Sequence, residues 1–186
     1  MFEATLALLL LLPSTLGHAV VQKPVPRGSG DATLALCGEA VTTKLDDDPA
    51  GPIENSVKVA DADYKCNLYQ CRGYQYEDNV DKVNVYAAGD LVTFHIDLVA
   101  AHRPGWANVS VIDLATNKAI GDPVKVWDVW PDNVAGGGDD VDFNITIPSS
   151  LGSACNAGGK CALQWYWWSN GNSQTYESCV DFYVKA

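Results

Sequence analysis

The chain has 186 residues, 47% of them hydrophobic and 19% charged, with a formal net charge of −11. That is enough chain to bury a core of its own. Twenty-three acidic side chains against twelve basic ones argue against nucleic acid or an anionic membrane as partner and suit a neutral polymer.

The first 17 residues read MFEATLALLLLLPSTLG. The apolar run Ala4 to Leu12 fits a secretory h-region and is too short to cross a bilayer. Pro13 ends it, and Thr15 and Gly17 are small residues suited to cleavage after Gly17. Glu3, with no Lys or Arg ahead of the run, departs from the usual pattern. The reading is a signal peptide at 1–17 and a secreted, extracellular domain at 18–186. No later stretch is long enough to span a membrane, so none is expected after processing. Six cysteines, an even number, suit a disulfide framework, and no CxxC pair argues for zinc. Two N-glycosylation sequons agree with secretion, at Asn108-Val-Ser and Asn144-Ile-Thr.

Cleavage after Gly17 makes His18 the N-terminal residue. Its α-amine and Nδ1 can then close one chelate ring on a metal, and a second imidazole can add a third nitrogen. Such nitrogen arrays suit Cu(II) above other first-row ions.

Downstream, Val41 to Lys82 is polar and carries DDDPAGP. It reads as a long loop region with one short helix. Long loops on a rigid frame often carry function, so Tyr69, Tyr74 and Tyr76 are candidate substrate contacts. From Leu91 to Val99 the pattern alternates, with Val92, Phe94, Ile96 and Leu98 on one face and Thr93, His95 and Asp97 on the other. Trp106 to Leu114 and Val124 to Trp130 read as further strands, with Asn117-Lys118 in the turn between them. Gly136 to Asp139 is a flexible connection without a nucleotide-binding context. Val141 to Ile147 alternates again, with Val141, Phe143, Ile145 and Ile147 facing in. Cys161 to Trp168 and Cys179 to Val184 complete the set. In the former, Trp165 and Trp167 alternate with Tyr166 and Trp168, so one pair faces in and the other out. The expected fold is all-β: an immunoglobulin- or fibronectin-III-like antiparallel β-sandwich with long loops.

The chain holds three histidines, His18, His95 and His102. His95 lies mid-strand on a polar face. His102 follows a strand end in Ala-Ala-His-Arg-Pro, where the loops of a sandwich gather and the N-terminus can reach.

The residues in this order resemble the lytic polysaccharide monooxygenases, and among them most the fungal auxiliary-activity family sixteen. HAVVQKPVPR, with His18, Pro24 and Arg27, is similar to the family's opening. VTFHIDLVAAHRPGWANVSVIDL is similar to the stretch that supplies the second histidine, here His102. QTYESCVDF is similar to its Q-x-Y-x-x-C motif, which holds Gln174 and Tyr176. CNLYQCRGYQYEDN and CALQWYWW also look like the fungal branch.

The resemblance implies one copper per mature chain, bound by His18 and His102 with Tyr176 on the axial side and Gln174 toward oxygen. It implies oxidative cleavage of a β-linked polysaccharide, cellulose with C1 oxidation first and chitin second, by a monomer served by an external electron donor. A copper carrier that does no polysaccharide chemistry would share His18 and His102. A bare carbohydrate-binding domain would need neither. Ala19 and Ala101 depart from the family pattern. No third histidine is left for proton delivery, which would fall to Gln174, Gln164 or an acid. The cysteine connectivity is open from sequence. The favoured set is Cys66–Cys71 and Cys155–Cys161 as local loops, with Cys37–Cys179 as the long closure.

Overall fold

The computed structural model describes residues 17–133 and 137–185, so the signal reading falls outside it except for Gly17. Among these described residues nine strands form two sheets: β1 (His18–Lys23), β2 (Asn84–Tyr86), β3 (Leu91–Ala100), β4 (Gly105–Asp113), β5 (Lys118–Ala119), β6 (Lys125–Trp127), β7 (Asp142–Thr146), β8 (Cys161–Ser169) and β9 (Gln174–Val184). The smaller sheet runs β1-β3-β7 and the larger β2-β9-β8-β4-β5, with β6 also on β4. The all-β sandwich is as expected, with one difference. β2 pairs with β9 in parallel, so the larger sheet is mixed.

Alternation explains the packing. Val92, Phe94 and Ile96 of β3 and Phe143 and Ile145 of β7 are buried, while Thr93 and Asn144 meet on the outside. From the other sheet Val109, Val111, Leu163, Trp165, Trp167, Val180 and Phe182 close the same core. Each such side chain contributes about 1.5–3 kcal/mol by leaving water. Tyr166 and Trp168 are partly exposed on the outer face, as the alternation predicts. Gly105 allows a close approach between the strands. A Cβ there would lie 2.6 Å from Trp167 Nε1 and 2.8 Å from the Trp168 carbonyl.

Ahead of the region read as loop with one helix lies α1 (Asp31–Cys37); the region itself takes in most of α2 (Glu39–Asp47) and all of α3 (Ile53–Val57), followed by short 3-10 turns. These helices are too short to show a sustained period in sequence. Val41, Leu45, Ile53 and Leu68 give them a small core of their own. Two strand readings also change. The segment Val124 to Trp130 shrinks to β6, because Trp130 leaves the sheet and is wedged between the layers, its indole N–H donating to the Asp140 carbonyl. The last strand begins at Gln174, not Cys179.

The disulfides are Cys37–Cys66, Cys71–Cys179 and Cys155–Cys161. Only the last was expected. Cys66 faces the helices, in one cluster with Cys37 and Leu45, whereas Cys71 faces β8 and β9, beside Ala162 and Cys179. Neighbours in sequence thus point to opposite layers, and each pairs where its Cα comes within bridging range, 4.9 and 5.1 Å. The long closure therefore starts from Cys71. In the chain-entropy account a link across some hundred residues is worth about 4–5 kcal/mol. No helix among the described residues is long and apolar enough to cross a membrane.

Candidate metal centre

One end of the sandwich collects the residues singled out in the sequence. His18 opens β1 opposite Ala100, the last residue of β3. His102 follows in the β3–β4 connection. Gln174 opens β9 opposite Ser169, which in turn faces Gly105 at the start of β4. Tyr176 points inward from β9 and is fully buried, stacked on Trp167 with ring centroids 4.1 Å apart. Trp167 packs against Trp130 at 4.8 Å, and Trp130 against Trp165 at 5.1 Å.

Gly17 lies in the middle of this group. Its N–H donates to His102 Nδ1 at 3.0 Å. The Tyr176 hydroxyl lies 2.8 Å from the Gly17 carbonyl and 2.9 Å from Gln174 Oε1, with one proton to give to either. A Cβ on Gly17 would lie 2.7 Å from the His102 ring and 3.0 Å from the Tyr176 hydroxyl. The cradle between these two side chains is therefore filled by the backbone that precedes His18.

His18 Nε2 lies 3.1 Å from Asp48 Oδ1. That carboxylate takes the ring nitrogen that a chelate with the α-amine does not use, a common arrangement around metal-binding histidines. The loop carrying Asp48 is pinned from two sides. Ala19 N–H donates to the Ala50 carbonyl. The buried Arg72 donates to the Gly51 carbonyl at 2.6 Å and the Asp48 carbonyl at 3.1 Å. Arg72 adopts a left-handed φ of 58° to do so. His102 is buried, and burial holds its imidazole below the usual range, against a hydrogen bond to the Gln174 carboxamide oxygen that raises it. A neutral ring is the form a metal needs. The Asn172 amide lies against the same ring, 3.4 Å from Nε2. Burial, then the Glu54 and Asp48 carboxylates, push the Tyr176 phenol far up, so it stays protonated.

Asp48, Arg72 and Asn172 were not found in sequence. Asp48 is the last of three consecutive aspartates, and nothing distinguishes it from Asp46 and Asp47. Gln164 does not reach this group. It lies farther down β8 and bonds to Glu177. The tyrosines proposed for substrate contact are dispersed. Tyr74 is buried in the helical cluster. Tyr76 lies by Gly158 and Gly159, beyond the far end of β8. Tyr69 is exposed on the flank, near Glu54 and Tyr166. His95 sits on the polar face, 2.7 Å from Asp142.

Glu177, next to Tyr176, points the other way and is buried beneath Arg72. Burial pushes its carboxyl up to about 7, although the backbone N–H groups of Arg72 and Cys71, the Arg72 charge and Gln164 all lower it. Glu54 and Tyr166 face the same pocket. Between the unperturbed value and 7 the folded chain binds the extra proton, so stability falls as pH rises through 7. Metal-free protein is expected to lose up to roughly 3 kcal/mol between pH 5 and pH 8, and Glu177→Gln to flatten this slope. Denaturant titrations at each pH test it, and parallel profiles for the two proteins would refute it.

No protein-family model and no curated protein matches the sequence. Among solved structures, a chitin binding domain from Burkholderia pseudomallei is 12% identical, over 90% of this chain and 99% of that one, with a TM-score of 0.43. An AA10 lytic polysaccharide monooxygenase from Streptomyces lividans is 12% identical over 63% and 74%, at 0.41. A Bacillus amyloliquefaciens CBM33 protein in complex with Cu(I) is 12% identical, at 0.38. This match covers 55% of the present chain and 56% of that protein's. These are distant likenesses, and the site's own geometry must carry its chemistry. Among the described residues no group of three or more His, Cys, Asp or Glu side chains is arranged to hold a metal.

Proposed function

We propose that the chain beginning at His18 is a secreted, monomeric enzyme that holds one copper ion and cleaves a β-linked polysaccharide oxidatively, cellulose on its C1 side. The observation that carries this reading is the Gly17 backbone wedged between His102 and Tyr176. Cleavage after Gly17 removes this wedge and frees an amine beside two imidazoles in the same event. The donor set fits copper: two imidazoles, one amine and a neutral phenol.

The holding residues would be His18, through its amine and imidazole, and His102, with Tyr176 behind. Copper there supplies one-electron chemistry toward oxygen or peroxide, with electrons from an external donor. Asp48 orients the His18 ring. Gln174, in contact with both Tyr176 and His102, offers a carboxamide that can donate or accept at the open side. Asp48→Ala is expected to lower copper affinity by roughly 10–100-fold while the fold persists. Calorimetric titration checks this, and unchanged affinity would show that the ring is held by other contacts.

The function itself is tested on secreted protein whose N-terminus is shown to be His18 and whose copper content is one per chain. With a reductant and oxygen or peroxide, it should release C1-oxidised oligosaccharides from cellulose, read by mass spectrometry. Oxidised products from chitin alone would move the substrate. Copper binding without products from any polymer would identify a carrier, and no copper uptake would end the reading.

A further inference from the structure

Outside the metal centre, the outer face of β4 carries a second built arrangement. Trp106, Asn108 and Ser110 alternate onto this face. Asn108 stands directly between Val126 of β6 and Tyr166 of β8. Trp106, two residues earlier, lies against Tyr166 with ring centroids 5.3 Å apart. Trp106 and Val126 are exposed and Tyr166 is partly so. Ser110 Oγ, the sequon hydroxyl, is 3.5 Å from Asn108 Oδ1. A glycosylation sequon thus sits at the centre of an uncovered apolar patch.

The other sequon is a built-in contrast. Asn144 on β7 accepts from Thr93 Oγ1 at 2.7 Å and is flanked by Asp142 and Thr146 on the same face, a polar setting in which Asp142 pairs with His95. Exposed apolar patches on a folded domain generally mark something that covers them. Trp and Tyr offer flat apolar surface beside polar groups, which suits the C–H face of a pyranose. A sugar tethered at Asn108 is held at high effective concentration over these rings.

We propose that the glycan on Asn108 lays its first N-acetylhexosamine over Trp106 and Tyr166 and is a structural part of this face, whereas a glycan on Asn144 projects into solvent. The inference shares with the proposed function only the passage of the chain through a secretory pathway. In the attachment step the Asn108 carboxamide nitrogen displaces the diphosphate of a lipid-linked oligosaccharide at the anomeric carbon. The N–C bond forms, the C–O bond to the lipid diphosphate breaks, and the amide loses one proton.

The test uses protein secreted from a eukaryotic host. Glycopeptide mass spectrometry should find Asn108 occupied. Trimming to the first sugar should leave the melting temperature in place. Asn108→Gln should lower it by about 2–4 °C, and Asn144→Gln should not. In a Trp106→Ala background, the glycosylated and Asn108→Gln forms should melt together, because the coupled partner is gone. A bare Asn108, equal effects at the two sequons, or a glycan effect that survives Trp106→Ala would overturn the proposal. So would cellulose binding by this face that requires Trp106 and an unmodified Asn108. No arm reads copper, so failure here leaves the metal centre standing.

Discussion

A chain that keeps Gly17 ahead of His18 is expected to bind Cu(II) far more weakly than one that begins at His18. The deficit should exceed the roughly 10–100-fold that loss of an outer partner costs a metal site. Two things go wrong together. The His18 nitrogen is an amide, which is no donor without losing its proton. The Gly17 backbone also fills the cradle, bonded to His102 and to the Tyr176 hydroxyl. Oxidative activity should vanish with the binding. Titration calorimetry and Cu(II) EPR on the two forms make the comparison. Equal affinity, or full activity from the extended chain, would show that the His18 amine is not a ligand.

Breaking the Arg27–Asp181 pair should be among the most damaging single changes to stability. Arg27 Nε donates to Asp181 Oδ2 and a terminal nitrogen to Oδ1, both at 2.6 Å, with the side chains 6% and 1% exposed. The paired geometry is of the strong bidentate kind. A third donor of the same guanidinium reaches the Tyr74 carbonyl, and Arg27 N–H reaches the Cys179 carbonyl. One residue thus ties the segment after β1 to β9 and to the turn after Cys71. Asp181→Ala leaves the cation buried without its partner and is expected to cost about 3–5 kcal/mol. Arg27→Met with Asp181→Leu should cost much less than the single change, because no charge is left stranded. Denaturant unfolding of the three variants decides. A cost below about 1 kcal/mol for Asp181→Ala would mean that water or another anion replaces the pair.

What could be read in the sequence follows from which surfaces are one-sided. β3 and β7 face the core on one side and solvent on the other, so their alternation is clean and their faces were correct. The first half of β9 was missed because it is covered on both sides. Tyr176 packs on Trp167, while Glu177 and Cys179 lie under Arg72 and Cys71, and QTYES then shows no hydrophobic period. β1 was missed because it is short and ends in polar residues. The disulfides were misread because short sequence distance was taken for short spatial distance. The turn at residues 68–70, between Cys66 and Cys71, carries the two thiols to different layers instead. At the candidate metal centre, His18, His102, Gln174 and Tyr176 were visible as a motif. Asp48 was not, because its role depends on a loop held by an arginine that is distant in sequence.

The indole stack behind Tyr176 has an optical consequence. Trp130, Trp165 and Trp167 are fully shielded from water, so their emission lies to the blue. Trp106 is exposed at the surface and emits to the red. A paramagnetic ion seated against Tyr176 would drain light from the shielded set first. Copper loading should then be readable without any added dye, as dimming on the blue edge of the intrinsic fluorescence that a chelator reverses. A chain still carrying Gly17 should stay bright under the same titration.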